Sequence, residues 1–415
     1  MAPPPPPKVT EYQLVSRRCA GCGHLNAPTA DDHPRRIHPQ NPPGTAPAPA
    51  PSTGRELVPV PGPGREPVPV PVPGRDLVPV PVPEPGRDLV LPWVLTAGSP
   101  VRIGPAATAV AALLTCAHYL PIHRAAALFR ALTGMAVSTD YLAGVRRRAA
   151  AVLEEVFLPY MRELLATATV LHADETTGRA QGKLSYVHVA CTEYLTLLHV
   201  GGRCAADIDA GAVLPAFTGT LVRDGYAGYA HLPAIHAWCG AHIVRDLRSV
   251  SDADPAAQLW AIAMADTLNE ANRLAHAARD AGADQLDPAT LKRILNNYRG
   301  AIAKGTCDNR NRPGPLAAEA RKLLRRFTRY EDMILRFATD LAVPYTNNAA
   351  ERAVRPVKVQ QRTSGGAWRT LAGLTDFAIV TSYLDTATKW GIDKHDALEQ
   401  LFTTGAWLPP ALAPS

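Results

Sequence analysis

Two aspartates stand where a short apolar run ends. Asp174 closes TVLHAD, and Asp224 follows TLV in TLVRDGYAGY. An acid at the carboxyl end of a strand projects into the crevice beyond the sheet, where side chains from neighbouring strands converge. Converging carboxylates repel one another unless a cation sits among them. Oxygen ligands with open positions suit Mg2+ or Mn2+, hard ions that keep part of their water shell and bind phosphate oxygens. Two such ions, about 3.5–4 Å apart, can activate an attacking oxygen on one side of a phosphorus and stabilise the leaving oxygen on the other. A third acid, Glu351, lies in NNAAERAVRP, where Asn347 or Asn348 can cap a helix and put Glu351 in its first turn. Each acid alone has an ordinary structural explanation, as a turn acid or a helix-start acid favoured by the dipole. Their order and spacing make them a candidate set. Glu175 rivals Asp174, but alternation along a strand turns it to the opposite side.

Cations and soft ligands surround these acids in sequence. Arg352 and Arg355 flank Glu351, with Lys358 and Arg362 further along the same stretch, all suited to a phosphate backbone. Cys239 and His242, in CGAH, have the spacing of half a zinc site, but no second pair follows at a suitable distance. With Arg245 they read as a structural or substrate-facing group. Cys19 and Cys22 form a CxxC knuckle, half of a four-ligand set that only His24, His33 or His38 could complete, so Zn2+ there stays open.

The elements that must position these residues follow from periodicity. TVLHAD, KLSYVHVACT and YLTLLHVGG read as three short strands, TLVRDGYAGY as a fourth ending in an acid, and IHAWCGAH as a fifth. The 50 residues from Asp174 to Asp224 accommodate the intervening strands and a helix. The 127 from Asp224 to Glu351 are too many for a strand and a helix, so a helical insertion belongs between them, over roughly 243–343, with Lys322, Arg325, Arg326 and Arg329 on its helix faces. Upstream, helices are expected from Pro105, after Pro121 and from Ser138, an N-cap candidate. The glycine turn at Gly134 between two of them has the look of a helix-turn-helix. Arg146, Arg147 and Arg148 could then meet phosphates, although helical hairpins that merely pack are commoner. A last helix spans roughly 371–390.

Composition bounds the rest. A chain of 415 residues, 47% hydrophobic and 19% charged, is long enough for two or three folded units. Its net charge of +6 permits a polyanionic partner without requiring one. Its 40 prolines are unevenly placed, and a decaying repeat with starts at Gly54, Gly64, Gly74 and Gly86 carries one at nearly every second position, which favours polyproline II, so a disordered linker is expected over 39–99. Seven cysteines, most of them scattered singly, argue against a disulfide framework. No secretory pattern and no apolar run long enough to span a bilayer is present, so a cytoplasmic, nucleoid-associated protein away from membranes is expected.

Taken together, HADETTG, LVRDGYAGY, WCGAHIVRDL and TNNAAERAVRPVKVQQRTSGG, in that order between 172 and 366, resemble the DDE transposases of insertion sequence family 66. The upstream VRIGPAATAVAALL matches as well, and the resemblance runs from about Pro100 to the C-terminus. It implies an α/β fold with a ribonuclease-H-like, mixed five-stranded catalytic core over 167–242 and 344–415, interrupted by the helical insertion and preceded by an α-helical domain at 100–166. It implies Asp174, Asp224 and Glu351 as ligands of two Mg2+ or Mn2+ ions, and Cys239, His242 and Arg245 as a signature near the site. It also implies element-end and target DNA as partners, with accessory proteins and an oligomer assembled on DNA. Residues 1–38 resemble only the last portion of the family's N-terminal zinc-finger-like region, which predicts an incomplete finger left by a shortened start. The implied activity is metal-dependent cleavage at element ends followed by strand transfer; a catalytically inactive DNA-binding remnant and a two-metal nuclease without strand transfer are the alternatives.

Overall fold

A computed structural model describes residues 103–411, together with the backbone of two short strands, β1 (Arg17–Arg18) and β2 (Leu25–Asn26). The latter form a unit of their own, pairing antiparallel with Arg17 opposite Asn26. Cys19, Cys22 and the proline repeat, and with them the zinc and linker expectations, lie outside the described residues.

The main unit opens with α1 (Pro105–Ala112), which passes into a wide π turn at Leu113–Ala117, then α2 (Ile122–Thr133) and α3 (Thr139–Ala166). Pro121 stands at the start of α2, Gly134 takes the left-handed conformation that ends it, and the Ser138 side chain accepts the Tyr141 N–H at 3.0 Å, as an N-cap should. These helices belong to the same compact unit as the sheet. Arg146 lies over the Trp368 ring at 5.5 Å and Arg148 over Tyr141 at 5.4 Å, so two of the run Arg146–Arg148 pack on aromatic faces within the protein.

The sheet comprises β3 (Val170–Ala180), β4 (Lys183–Cys191), β5 (Thr196–Gly201), β6 (Thr220–Arg223) and β7 (Ile235–Trp238), in the spatial order β5-β4-β3-β6-β7. The first three strands form an antiparallel meander, and β6 and β7 add parallel to β3. Gln181 and Gly182, both at positive φ, make the two-residue turn between β3 and β4 that matches strand twist. Between β5 and β6 lie one short α-helix, α4 (Ala205–Asp209), and a 3-10 turn at Leu214–Ala216.

All five strands fall where alternation predicts them, but β3 does not end at Asp174. It runs six residues further, because its antiparallel partner β4 continues beyond the point where the parallel partner β6 stops. Pairing with β6 covers only Val170–His172. Asp174 therefore stands in mid-strand yet still just past the end of the parallel pairing, beside the turn that carries Asp224.

After β7 the chain leaves the sheet through α5 (Gly240–Ala253), α6 (Leu259–Asp280), α7 (Pro288–Asn309), α8 (Pro315–Arg329), α9 (Glu331–Ile334) and α10 (Arg336–Thr339). Their apolar faces enclose a core of their own around Trp260, Met264, Leu268, Tyr298, Leu324 and Phe327. Gly305 abuts Trp260 so closely that a Cβ there would lie 2.6 Å from the indole. At the base of the insertion the Gly240 N–H donates to the Tyr345 carbonyl at 2.8 Å, and a Cβ on Gly240 would fall 2.0 Å from the Tyr345 ring. The chain then re-joins the sheet through α11 (Asn348–Thr363), α12 (Leu371–Lys389) and α13 (Lys394–Thr403). Ala350, Ala353, Val354 and Val357 of α11 pack on Val187, Val189 and Cys191 of β4. α12 covers the edge strand β5, its Thr386 and Ser382 hydroxyls accepting the Thr196 and Leu198 N–H groups at 3.1 and 2.8 Å, which leaves that edge unable to recruit another strand. Among the described residues no helix is long and apolar enough to cross a membrane.

Candidate functional site

Asp174 stands opposite Val189 across the β3–β4 ladder, and Val189 packs against α11. Cross-strand partners share a face, so Asp174 and Glu351, in the first turn of α11, look onto the same side of the sheet. Asp224 follows the last residue of β6. Its Oδ1 accepts the Tyr226 N–H at 2.8 Å, an Asx turn that fixes the loop. Below it the nearly fully buried Arg223 donates through Nη1 to the carbonyls of Asp224 and Tyr226 and through Nε to His236 Nδ1 at 2.9 Å. Burial pulls the Arg223 guanidinium below its usual range, which the adjacent Asp224 charge opposes.

Burial pushes the Asp174 carboxyl up to about 7, with the charges of Glu175, Asp224 and Glu351 adding to the rise and a hydrogen bond from the Glu175 N–H (2.9 Å) opposing it. Asp174 thus feels the charge of both other acids across the crevice. Glu175 is engaged elsewhere, as alternation requires. Its Oε1 accepts from Arg203 Nε and Nη2 at 3.0 and 2.8 Å, and its Oε2 accepts the Tyr229 hydroxyl at 2.7 Å. Arg203 in turn lies 4.0 Å over the Tyr226 ring. This cage ties the Asp224 loop to β3, and no local sequence signal announced it.

Asn347 departs from its expected role. It occupies the N-cap position of α11 but makes no side-chain cap bond. Its fully buried amide instead donates to the Ala173 carbonyl at 2.8 Å, and its Oδ1 meets His172 Nδ1 at 3.0 Å. Burial lowers His172 to about 4, so the ring is neutral and Nδ1 carries the proton it donates. The Asn347 backbone N–H donates to Cys239 Sγ at 3.2 Å. One residue thereby links β3, the start of the insertion and the helix bearing Glu351.

Cys239 is the N-cap of α5 and is buried. Burial pushes its thiol up, but the His242 side chain and the N–H groups of Asn347 and His242 outweigh that and hold it below its usual value. The neighbouring thiol raises His242 in turn, against partial burial. His242 Nδ1 lies 3.7 Å from Glu351 Oε1. The ligand atoms of Cys239, His242 and Glu351 all fall within 4.8 Å of one another, the one such group of three among the described residues. Sequence spacing supplied two members of this set and found no second pair; the third comes from a helix more than a hundred residues away.

Of the four expected backbone cations, Arg352, Arg355 and Arg362 are exposed. Lys358 is turned inward, its Nζ donating to the Thr177 carbonyl at 2.7 Å and to the Thr177 hydroxyl, so it docks α11 on β3. Arg245 is exposed one turn beyond His242. On the insertion, Arg325 and Arg329 line a groove with Arg310 and Arg321.

The family model described as Transposase IS66 family matches residues 100–375. A search of curated proteins returns no match. The matched span holds the whole sheet, the insertion and every acid of the site, and the chain belongs to that family.

Proposed function

From that membership we propose that the protein is a DNA transposase of the three-carboxylate kind, acting on the ends of an insertion sequence and joining them to target DNA. What supports this reading is that Asp224, just after β6, and Glu351, in the first turn of α11, are near enough for their charges to add to the burial that holds the Asp174 carboxyl of β3 up near 7. We also read the sheet as ribonuclease-H-like, from its antiparallel meander of three strands and two further strands parallel to the first.

The donor set fits a hard divalent cation. It is made of oxygen ligands, and the ionised form of the buried Asp174 calls for a positive charge beside it. Bound by these carboxylates, Mg2+ or Mn2+ would lower the pKa of an attacking water and offset charge on the leaving oxygen. The chain's own residues do the positioning. Arg223 and the Asx turn hold Asp224, Asn347 holds the start of α11 against β3, and the Glu175–Arg203–Tyr229 cage keeps the competing carboxylate occupied. Arg352, Arg355 and Arg362 are the cations for the DNA backbone, giving affinity that falls steeply with salt.

The test incubates the protein with Mg2+ or Mn2+ and DNA carrying the element's terminal repeats, beside Asp224→Asn. Cleavage and joined products from the wild type alone are expected. Equal cleavage by both proteins would refute the assignment, nicking without joining would favour a nuclease, and salt-sensitive binding without cleavage would favour a binding remnant.

A further inference from the structure

We propose that Cys239, His242 and Glu351 form a binding site for a thiophilic divalent cation of the zinc class, and that its occupant competes with the catalytic ions for Glu351. The site itself stands on geometry and ligand chemistry; the competition rests on the function proposed above.

The donor types are a thiol, an imidazole and a carboxylate, a mixture that selects a borderline-soft ion such as Zn2+ over Mg2+. With metal–ligand bonds of about 2.0–2.3 Å, a tetrahedral site needs ligand atoms roughly 3.3–3.8 Å apart. His242 Nδ1 and Glu351 Oε1 already lie 3.7 Å apart, and all three ligand atoms fall within 4.8 Å, a contraction that a small side-chain rotation supplies. His242 Nδ1 is shielded from solvent and makes no hydrogen bond of normal length. Cys239 Sγ is fixed from behind by the Asn347 N–H and sits at the amino end of α5, where the helix dipole favours a thiolate. Binding replaces the thiol proton with the cation and releases that proton to solvent. His242 and Glu351 are each about one-third exposed, which leaves an approach path and a fourth position for water.

Glu351 cannot serve both sets at full strength. Turned toward Cys239 and His242, it is withdrawn from Asp174 and Asp224. A zinc-class ion would therefore hold the crevice in an inactive arrangement without touching either aspartate.

The test uses Co2+ as a spectroscopic probe on the full chain carrying Cys19→Ser and Cys22→Ser, so that the N-terminal knuckle is silent. One equivalent of Co2+ should produce a sulfur-to-metal charge-transfer band. Cys239→Ser should abolish the band, His242→Gln should weaken binding by at least about tenfold, and Asp224→Asn should leave it in place. A band that survives Cys239→Ser, or no band in the parent, overturns the site. Because His242 is partly exposed, His242→Gln remains informative even where Cys239→Ser folds poorly. In the cleavage assay, Zn2+ at ten times its own Kd for the site should raise the Mn2+ concentration needed for half-maximal activity by about tenfold. An unchanged Mn2+ requirement alongside an intact Co2+ band overturns the competition alone; a Co2+ band in a protein that never cleaves sinks the proposed function and leaves the site standing.

Discussion

The crevice beneath β3 and β6 and the helical insertion solve opposite problems. The insertion is held by apolar burial around Trp260, Tyr298 and Phe327, with one polar knot in which Gln258 and Asn309 exchange hydrogen bonds and Gln258 also receives the Trp260 N–H. The crevice is held by polar groups with distant partners: Asn347 on His172 and Ala173, Glu175 on Arg203 and Tyr229, Arg223 on His236. Apolar packing tolerates conservative exchange but not voids, whereas a polar hub tolerates neither removal nor a change of geometry. Substitutions in the first region should therefore cost stability, and those in the second should cost activity first.

The largest expected separation is at Asp224. Asp224→Asn should slow DNA cleavage by at least about a thousandfold, on the order of 4 kcal/mol of barrier, with its melting temperature nearly unchanged. A parallel loss of melting temperature would show that the acid is structural. Trp260→Ala is the mirror case. Removing a fully buried indole should cost about 3–4 kcal/mol, and limited proteolysis should find new cuts confined to 240–343 while the sheet stays protected. Asn347→Ala stands between the two regions. It leaves a buried imidazole N–H and the Ala173 carbonyl without their partner, about 2–3 kcal/mol, and cleavage should fall further than that loss explains because α11 is no longer pinned; activity that tracks stability alone would reduce Asn347 to an ordinary core residue.

A smaller effect concerns pH. His199 stacks on His188 at 4.7 Å, faces Arg162, and its Nε2 lies 2.9 Å from the Asp207 carbonyl; burial lowers it from 6.5 to about 4. The unfolded chain takes up this proton first as the pH falls, so the contribution is complete above about 6.5 and is lost progressively toward about 4. The His199 share of the stability difference between pH 7 and pH 5 should be about 1–2 kcal/mol, read as the amount by which His199→Gln narrows the gap between melting temperatures at the two pH values. The smallest effect asks whether the insertion does more than pack. Replacing Arg325 and Arg329 by alanine should lower the slope of log affinity against log salt by up to about 2; an unchanged slope would make the groove purely structural.

The sheet was legible because each strand carries its own period of two and its own turn chemistry, as at Gln181-Gly182. The helices after Pro121 and Ser138 were legible from caps and breaks. The spacing from Asp224 to Glu351 announced an insertion but not its segmentation, since the turns near Asp254, Gly282 and Gly314 interrupt one long, weakly amphipathic stretch. What stayed hidden were pairings across great sequence distance. Asn347 looked like a cap because the local rule for asparagine before a helix is strong, and its actual partners lie about 175 positions away. Lys358 read as a DNA contact for the same reason: its charge is visible in the sequence, and Thr177 is not near it there. The alternation argument did separate Asp174 from Glu175, because facing depends only on neighbouring residues.

The neck at Gly240 and Tyr345 has a consequence for ancestry and for folding. Because the two ends of the insertion are already hydrogen-bonded to one another, the sheet experiences the intervening helices as a closed loop whatever its length. Doubling such a loop adds only about 0.6 kcal/mol of closure entropy. The insertion can therefore be lengthened, trimmed or exchanged over evolutionary time without displacing Glu351, and it can collapse early around its own core and deliver α11 to the sheet late. Position 240 has no such latitude: any side chain larger than hydrogen pries the loop open at its base, and the third acid drifts with it.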